Sequence, residues 1–176
     1  NKNPISIQSV HAFNYSFPND LNKLENLLTN EKPDILINTM GYSNIDYCES
    51  NKNNTEILHI EITKKISKIC DDRKIKQIFL SSDYVFDGKK GNYSENDMPN
   101  PVNYYGLSKV KAEEIILKNP INAIVRTSIV YDWDYGSRFF NYVIKNLQKK
   151  QDITATTDVY HSITLLDNLV ESIEKI

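Results

Sequence analysis

The sequence predicts an α/β fold, a doubly wound parallel sheet with helices on its faces, and three observations carry that expectation. Short, almost wholly apolar runs alternate with longer stretches whose apolar residues recur at helical spacing, the order produced when crossover helices join parallel strands. The apolar runs lack polar alternation, as strands covered on both faces do. The longest connection, Asp83 to Tyr104, leads from a strand end into a helix, and open α/β sheets collect their ligands at such strand ends.

In chain order, Ile5 to Val10 reads as a first strand. Asp20 is a plausible N-cap for a helix whose Leu21, Leu24 and Leu28 share a face, with Pro33 marking the exit. Asp34-Ile-Leu-Ile-Asn38 follows as a strand, then a helix with an apolar stripe of Leu58, Ile62, Ile66 and Ile69. Gln77-Ile-Phe-Leu-Ser81 is the next strand. The long connection after it holds Gly88, Gly91, Pro99 and Pro101, and a helix runs from about Tyr105 to Lys118, ending before Pro120. Ala123-Ile-Val-Arg126 is a third sure strand, and two more helices are marked by Phe139, Val143 and Leu147 and by Leu166, Leu169 and Ile173. There is no internal repeat or low-complexity tail. Enrichment in Asn, Lys and Ile reads as a genome-wide base bias, which weakens any single Asn as a sign of a cap or ligand.

With 176 residues, 40% of them hydrophobic and 25% charged, the chain suits one globular domain. A net charge of -2 and the absence of a basic stripe argue against nucleic acid as a partner. No run approaches the roughly 20 apolar residues of a membrane span. Cys48 and Cys70 lack metal-ligand spacing and read as thiols of a reducing compartment, so a cytoplasmic location is expected. His11, His59 and His161 pair with no cysteine or carboxylate at ligand spacing, so no metal is expected. The chain opens on Asn1-Lys2-Asn3-Pro4 without an apolar leader, as if inside a loop or strand, and an upstream segment is expected.

The chemistry-bearing constellation is Ser81-Ser82 at a strand end followed by Tyr105-Gly106-Leu107-Ser108-Lys109 at a helix start. Residues four apart on a helix share a face, so Tyr105 and Lys109 can address one ligand. A free phenol has a pKa of about 10, and a neighbouring ammonium is expected to lower it toward the working range. A strand-end serine hydroxyl can hold the same carbonyl oxygen. Together the three make a proton-delivery site for carbonyl reduction. With 11 tyrosines in the chain, a packed tyrosine beside a solvated lysine is the ordinary alternative for this spacing alone.

The strings Phe79-Leu80-Ser81-Ser82-Asp83-Tyr84-Val85-Phe86-Asp87-Gly88, Tyr93-Ser94-Glu95-Asn96-Asp97 and Pro101-Val102-Asn103-Tyr104-Tyr105-Gly106-Leu107-Ser108-Lys109 resemble the dTDP-4-dehydrorhamnose reductase family. This family belongs to the extended short-chain dehydrogenases of the nucleotide-sugar type. The resemblance continues in Ala123-Ile124-Val125-Arg126-Thr127-Ser128 and, upstream, in Pro33 to Asn38 and Asp46-Tyr47-Cys48-Glu49. It implies a Rossmann-like fold, incomplete at the N-terminus, that occupies residues 1–176 as one partial domain, without the smaller C-terminal substrate part. It implies reduction of the C4 ketone of a dTDP-linked 4-dehydro-6-deoxy sugar with NADPH or NADH, a nucleotide-sugar substrate as partner, and a homodimer as the candidate assembly. Carried over by position, Ser82 is the hydroxyl partner, Tyr105 the proton donor and Lys109 the group that holds the nicotinamide ribose. Thr39, Met40, Gly41 and Ser43, with Tyr105 and Lys109, would line the cofactor, and Tyr84 would lie near the substrate or act as an aromatic lid on the strand end.

The sequence also departs from that family. No Gly-x-x-Gly-x-x-Gly string occurs, Thr39-Met40-Gly41 stands where the family has small residues and is expected to crowd the dinucleotide, and Leu58-His59-Ile60 replaces a Val-Asn-Ala segment. His161-Ser162-Ile163-Thr164 stands for a Gly-x-Pro-Thr segment, and the acidic residue near the adenine falls at about Asn14. A catalytically silent subunit on the same scaffold, like the β subunit of methionine adenosyltransferase, is therefore the second reading. A nucleotide-sugar epimerase or dehydratase is the third.

Overall fold

The structure is a computed structural model that describes residues 16–132, 138–154 and 157–176. The expected strand at Ile5 to Val10, His11 and Asn14 lie outside the described residues. The chain divides into two compact units, residues 1–126 and 127–176.

In the first unit, helix α1 (Leu21–Glu31) precedes strand β1 (Ile35–Asn38). Helix α2 (Ile45–Ser50) and the short α3 (Lys52–Glu56) follow. A π-helical stretch, Ile57–Ile62, then runs into α4 (Thr63–Arg73). Strand β2 (Lys76–Ser82) ends in a 3₁₀ turn, Asp83–Val85, and helix α5 (Tyr104–Ile116) leads to strand β3 (Ala123–Thr127). The strands lie in the order β1-β2-β3, and β1 pairs with β2 in parallel, Leu36 opposite Gln77 and Asn38 opposite Phe79. Parallel pairing needs a crossover, and α2, α3 and α4 supply it.

The core is built by the stripes the periodicity marks. Leu24 and Leu28 of α1 pack with Ile62, Ile66, Ile69 and Cys70, and Leu36 of β1 leans on this cluster. A second cluster joins Phe79 of β2 to Ala112 and Ile116 of α5. Helix ends follow chemistry that apolar spacing does not show. Asp20 stands at the N-cap of α1, but its carboxylate accepts from the Ser16 N–H (2.7 Å) and pairs with Lys23 (2.7 Å) instead of capping the helix. Asn44 and Asn103 are genuine caps, accepting from the N–H of Tyr47 (2.9 Å) and Gly106 (2.8 Å).

In the second unit, β4 (Val130–Tyr131) pairs in parallel with β5 (Thr164–Leu165), and helices α6 (Arg138–Gln148) and α7 (Leu166–Glu174) accompany them. Hydroxyls of Thr127 and Thr164 hydrogen-bond at 3.1 Å, and Ser128 meets His161 at 3.3 Å. Both two-residue strands are too short to leave a periodic signal. No helix among the described residues is long and apolar enough to cross a membrane.

Candidate functional site

Strand alternation chooses between the two serines that end β2. Ser81 Oγ is buried without a hydrogen-bond partner, whereas the Ser82 side chain is the one that acts on the Tyr105 phenol, favouring its ionised form. Ser82 Oγ also accepts from the Tyr84 N–H (3.3 Å) and donates to Asp83 (3.1 Å), so the hydroxyl is held in place from the turn that follows it. On the other side, the first turn of α5 is fixed twice. Asn103 caps it, and the Glu49 carboxylate, from the end of α2, accepts from the Tyr104 N–H at 2.9 Å. A carboxylate suits the positive end of a helix dipole, which explains the role of Glu49 in the Asp46-Tyr47-Cys48-Glu49 segment.

Tyr105 and Lys109 lie one turn apart on α5, yet they are not electrostatically paired as the spacing suggests. Burial, the largest influence, pushes the Tyr105 phenol above its ordinary value. Ser82 pulls it down, and Cys48, Asp83 and Tyr84 add to the rise. The ammonium of Lys109 is turned toward β2 instead: it donates to the Leu80 carbonyl (3.2 Å) and stands 4.7 Å from the centroid of the Phe79 ring. Lys109 is 4% exposed, and burial lowers its pKa to about 8 against the opposing pull of Glu113 and Cys48. The expectation that Lys109 lowers the phenol pKa is thus corrected. Desolvation is the largest influence on both groups, and the phenol keeps its proton at neutral pH.

The string after Ser82 proves to be largely a brace. Phe86 stacks on Tyr93 with ring centroids 4.3 Å apart, and Arg126 lies 5.1 Å from the Phe86 ring while its guanidinium forks onto the buried Glu113 (2.6 and 3.0 Å). Asp87 accepts from Tyr93 Oη (2.5 Å), Asn100 Nδ2 (3.0 Å) and the Lys89 N–H (3.0 Å). Tyr84 meets Tyr105 edge-on at 5.8 Å. Gly106 makes this approach possible: a Cβ there would stand 2.0 Å from the Tyr84 carbonyl oxygen. Sequence spacing marked Tyr105 and Lys109 and passed over the glycine between them, because a demand for empty space comes from the neighbouring segment.

Thr39, Gly41 and Ser43 are exposed after the carboxyl end of β1. Met40, which the resemblance sets at this edge, is partly buried and packs against the α1–α4 cluster. Gly41 approaches closely enough that a Cβ would stand 3.1 Å from both His59 Nε2 and Lys109 Nζ. The residues fit the nicotinamide end of a dinucleotide: a close glycine backbone, exposed hydroxyls and an ammonium with three N–H donors, one of them on Leu80. Among the described residues no cluster of three or more His, Cys, Asp or Glu could hold a metal ion.

His59 is the residue that sequence reasoning took for a mere departure. It sits in the π-helical stretch, 1% exposed, with its ring edge-on to Tyr105 at 5.9 Å. Burial first, and the Lys109 charge second, hold its pKa down to about 4 against an ordinary 6.5. The unfolded imidazole takes up a proton as pH falls below about 6.5, while the folded one resists down to about 4. Stability is therefore complete above that window and declines through it, by about 3 kcal/mol in all. Urea unfolding at several pH values from 7 to 4.5 should show this slope, and His59→Gln, which cannot titrate, should lack it. An equal slope in both proteins would refute the assignment.

The family described as the RmlD substrate binding domain matches residues 9–176. A dTDP-4-dehydrorhamnose reductase of Aggregatibacter actinomycetemcomitans is 31% identical over 124 residues, 69% of this chain and 42% of that protein. The methionine adenosyltransferase 2 subunit beta of Bos taurus is 28% identical over 113 residues, 64% of this chain and 34% of that protein. The crystal structure of dTDP-4-dehydrorhamnose reductase from Bacillus anthracis in complex with NADP superposes with a TM-score of 0.82 at 25% identity, over 88% of this chain and 56% of that one. The chain thus spans less than half the length of these two curated relatives.

Proposed function

This chain belongs to the RmlD substrate binding domain family, a family of sugar-nucleotide reductases, and from that premise we propose that it forms part of an enzyme reducing the C4 ketone of a dTDP-4-dehydro-6-deoxy sugar. The observation that carries the proposal is that a protonated, half-buried Tyr105, edge-on to Tyr84 and His59, has Ser82 at the end of β2 as the side chain acting on its phenol. A reduction needs an acid where the alkoxide develops, and a phenol that keeps its proton at neutral pH is suited to deliver it. Ser82 orients the carbonyl oxygen. Lys109 holds the ribose beside Gly41, and Thr39 and Ser43 line the same edge. Bound NADPH or NADH supplies the hydride; a relative's complex with NADP supports a nicotinamide cofactor.

The match to a methionine adenosyltransferase subunit favours one second reading, a binding subunit that keeps the scaffold without the turnover. The full-length protein separates the two. NADPH at 100 times its dissociation constant should stabilise the fold by about 2.7 kcal/mol and raise the melting temperature accordingly. Addition of the dTDP-linked keto sugar should then consume the nicotinamide absorbance. Stabilisation without consumption selects the binding subunit, and neither response rejects both readings.

A further inference from the structure

Resting on the reading that Gly41 and Ser43 border the dinucleotide and that α5 carries the acid, we propose that His59 is a positioning residue that locks the cofactor-side backbone to the catalytic helix. Its two ring nitrogens reach opposite ways. Nε2 accepts from the Tyr42 N–H at 2.8 Å, and Nδ1 meets Ser108 Oγ at 2.7 Å. Ser108 in turn donates its only hydroxyl proton to the Tyr105 carbonyl at 2.7 Å, so Nδ1 must carry the hydrogen and Nε2 must be bare. One neutral tautomer satisfies all three bonds, and either other protonation state sets a donor against a donor.

The bridge joins segments distant in sequence at the point where they must agree. Tyr42 follows Gly41, whose missing side chain leaves room for His59 Nε2 and Lys109 Nζ alike. Ser108 lies between Tyr105 and Lys109 on α5. An apolar side chain would fill the same space without desolvating an imidazole, but it would leave the Tyr42 N–H and the Ser108 hydroxyl without these bonds. A π-helical turn, a feature frequent at functional sites, presents the ring to both partners.

Two amides split the bridge. The amide nitrogen of His59→Asn occupies the Nδ1 position and can donate to Ser108 but does not reach Tyr42. The longer His59→Gln reaches the Nε2 position and can accept from Tyr42 but leaves Ser108. In the full-length protein, His59→Asn should raise the Kd for NADPH about three- to tenfold and keep kcat at saturation, whereas His59→Gln should keep the Kd and lower kcat by a similar factor, the range expected for one hydrogen bond. Independently of any cofactor, hydrogen exchange at the Tyr42 amide should be slow in wild type and His59→Gln and fast in His59→Asn. Nitrogen NMR of wild-type His59 should show Nδ1 protonated. Equal losses of Kd and kcat in both variants, Tyr42 exchange unchanged in His59→Asn, or an Nε2–H ring overturns the proposal. Should wild type bind NADPH without reducing a keto sugar, the reductase reading fails while the affinity and exchange measurements still decide the role of His59. If it binds none, exchange and tautomer decide alone.

Discussion

Tyr105→Phe should lower kcat for the keto sugar by about 10²- to 10⁴-fold while leaving NADPH affinity near normal, the loss expected when a general acid is removed. The ring stays, so its edge-on contacts with Tyr84 and His59 stay; the proton goes. Burial raises the phenol above its ordinary pKa, so in wild type essentially every molecule enters the cycle protonated. Tyr104→Phe is the control. Its hydroxyl makes only a 3.5 Å contact with Glu56 on the exposed side of the helix, and turnover should be nearly unchanged. Steady-state rates of the two variants decide the matter, and a Tyr105→Phe enzyme that keeps most of its activity places the acid elsewhere.

Gly106→Ala should damage both stability and turnover, against the usual sign of that substitution. In an open helix position alanine is favoured over glycine by about 1 kcal/mol. Here a Cβ would stand 2.0 Å from the Tyr84 carbonyl oxygen and 2.9 Å from Pro101 Cβ, and a backbone oxygen cannot swing aside as a flexible side-chain end can. Overpacking of this kind costs about 1–3 kcal/mol, occasionally more, and the close contact puts this site at the upper end. The net destabilisation expected is about 2 kcal/mol, or roughly 4–8 °C in melting temperature. Relief comes by moving the start of α5 away from the 3₁₀ turn, which separates Tyr105 from Ser82. Misplacement by about 1 Å can cost about 100-fold in rate. Melting and kcat measured together test this, and a variant as stable and active as wild type would show that the two segments do not approach as described.

Much of this was legible before any coordinates. The strands at residues 35–38, 76–82 and 123–127 and the helices beginning at Leu21 and Tyr104 fall where apolar spacing placed them, because burial on a strand or helix writes a local period into the chain. The helix carrying Ile62, Ile66 and Ile69 was visible for the same reason. Its π-helical start was not, since the stripe was traced through the half-buried Leu58 while the polar Thr55, His59, Thr63 and Ser67 are buried beside Ile62, Ile66 and Ile69. The caps by Asn44 and Asn103 were masked by a composition rich in asparagine.

By itself, then, the sequence determined the α/β order, the family and the spacing that sets Tyr105 and Lys109 on one helical face, since each of these depends on residues close together along the chain. Tertiary structure alone decided which serine acts on the phenol, that Lys109 turns to Leu80 and Phe79, that Met40 packs against the α1–α4 cluster, and that His59 bridges Tyr42 and Ser108. Those outcomes rest on desolvation and on hydrogen-bond partners brought from far along the chain. A buried polar side chain carries the same letter in the sequence as an exposed one, and only its packed surroundings set its charge, its tautomer and the direction in which it donates.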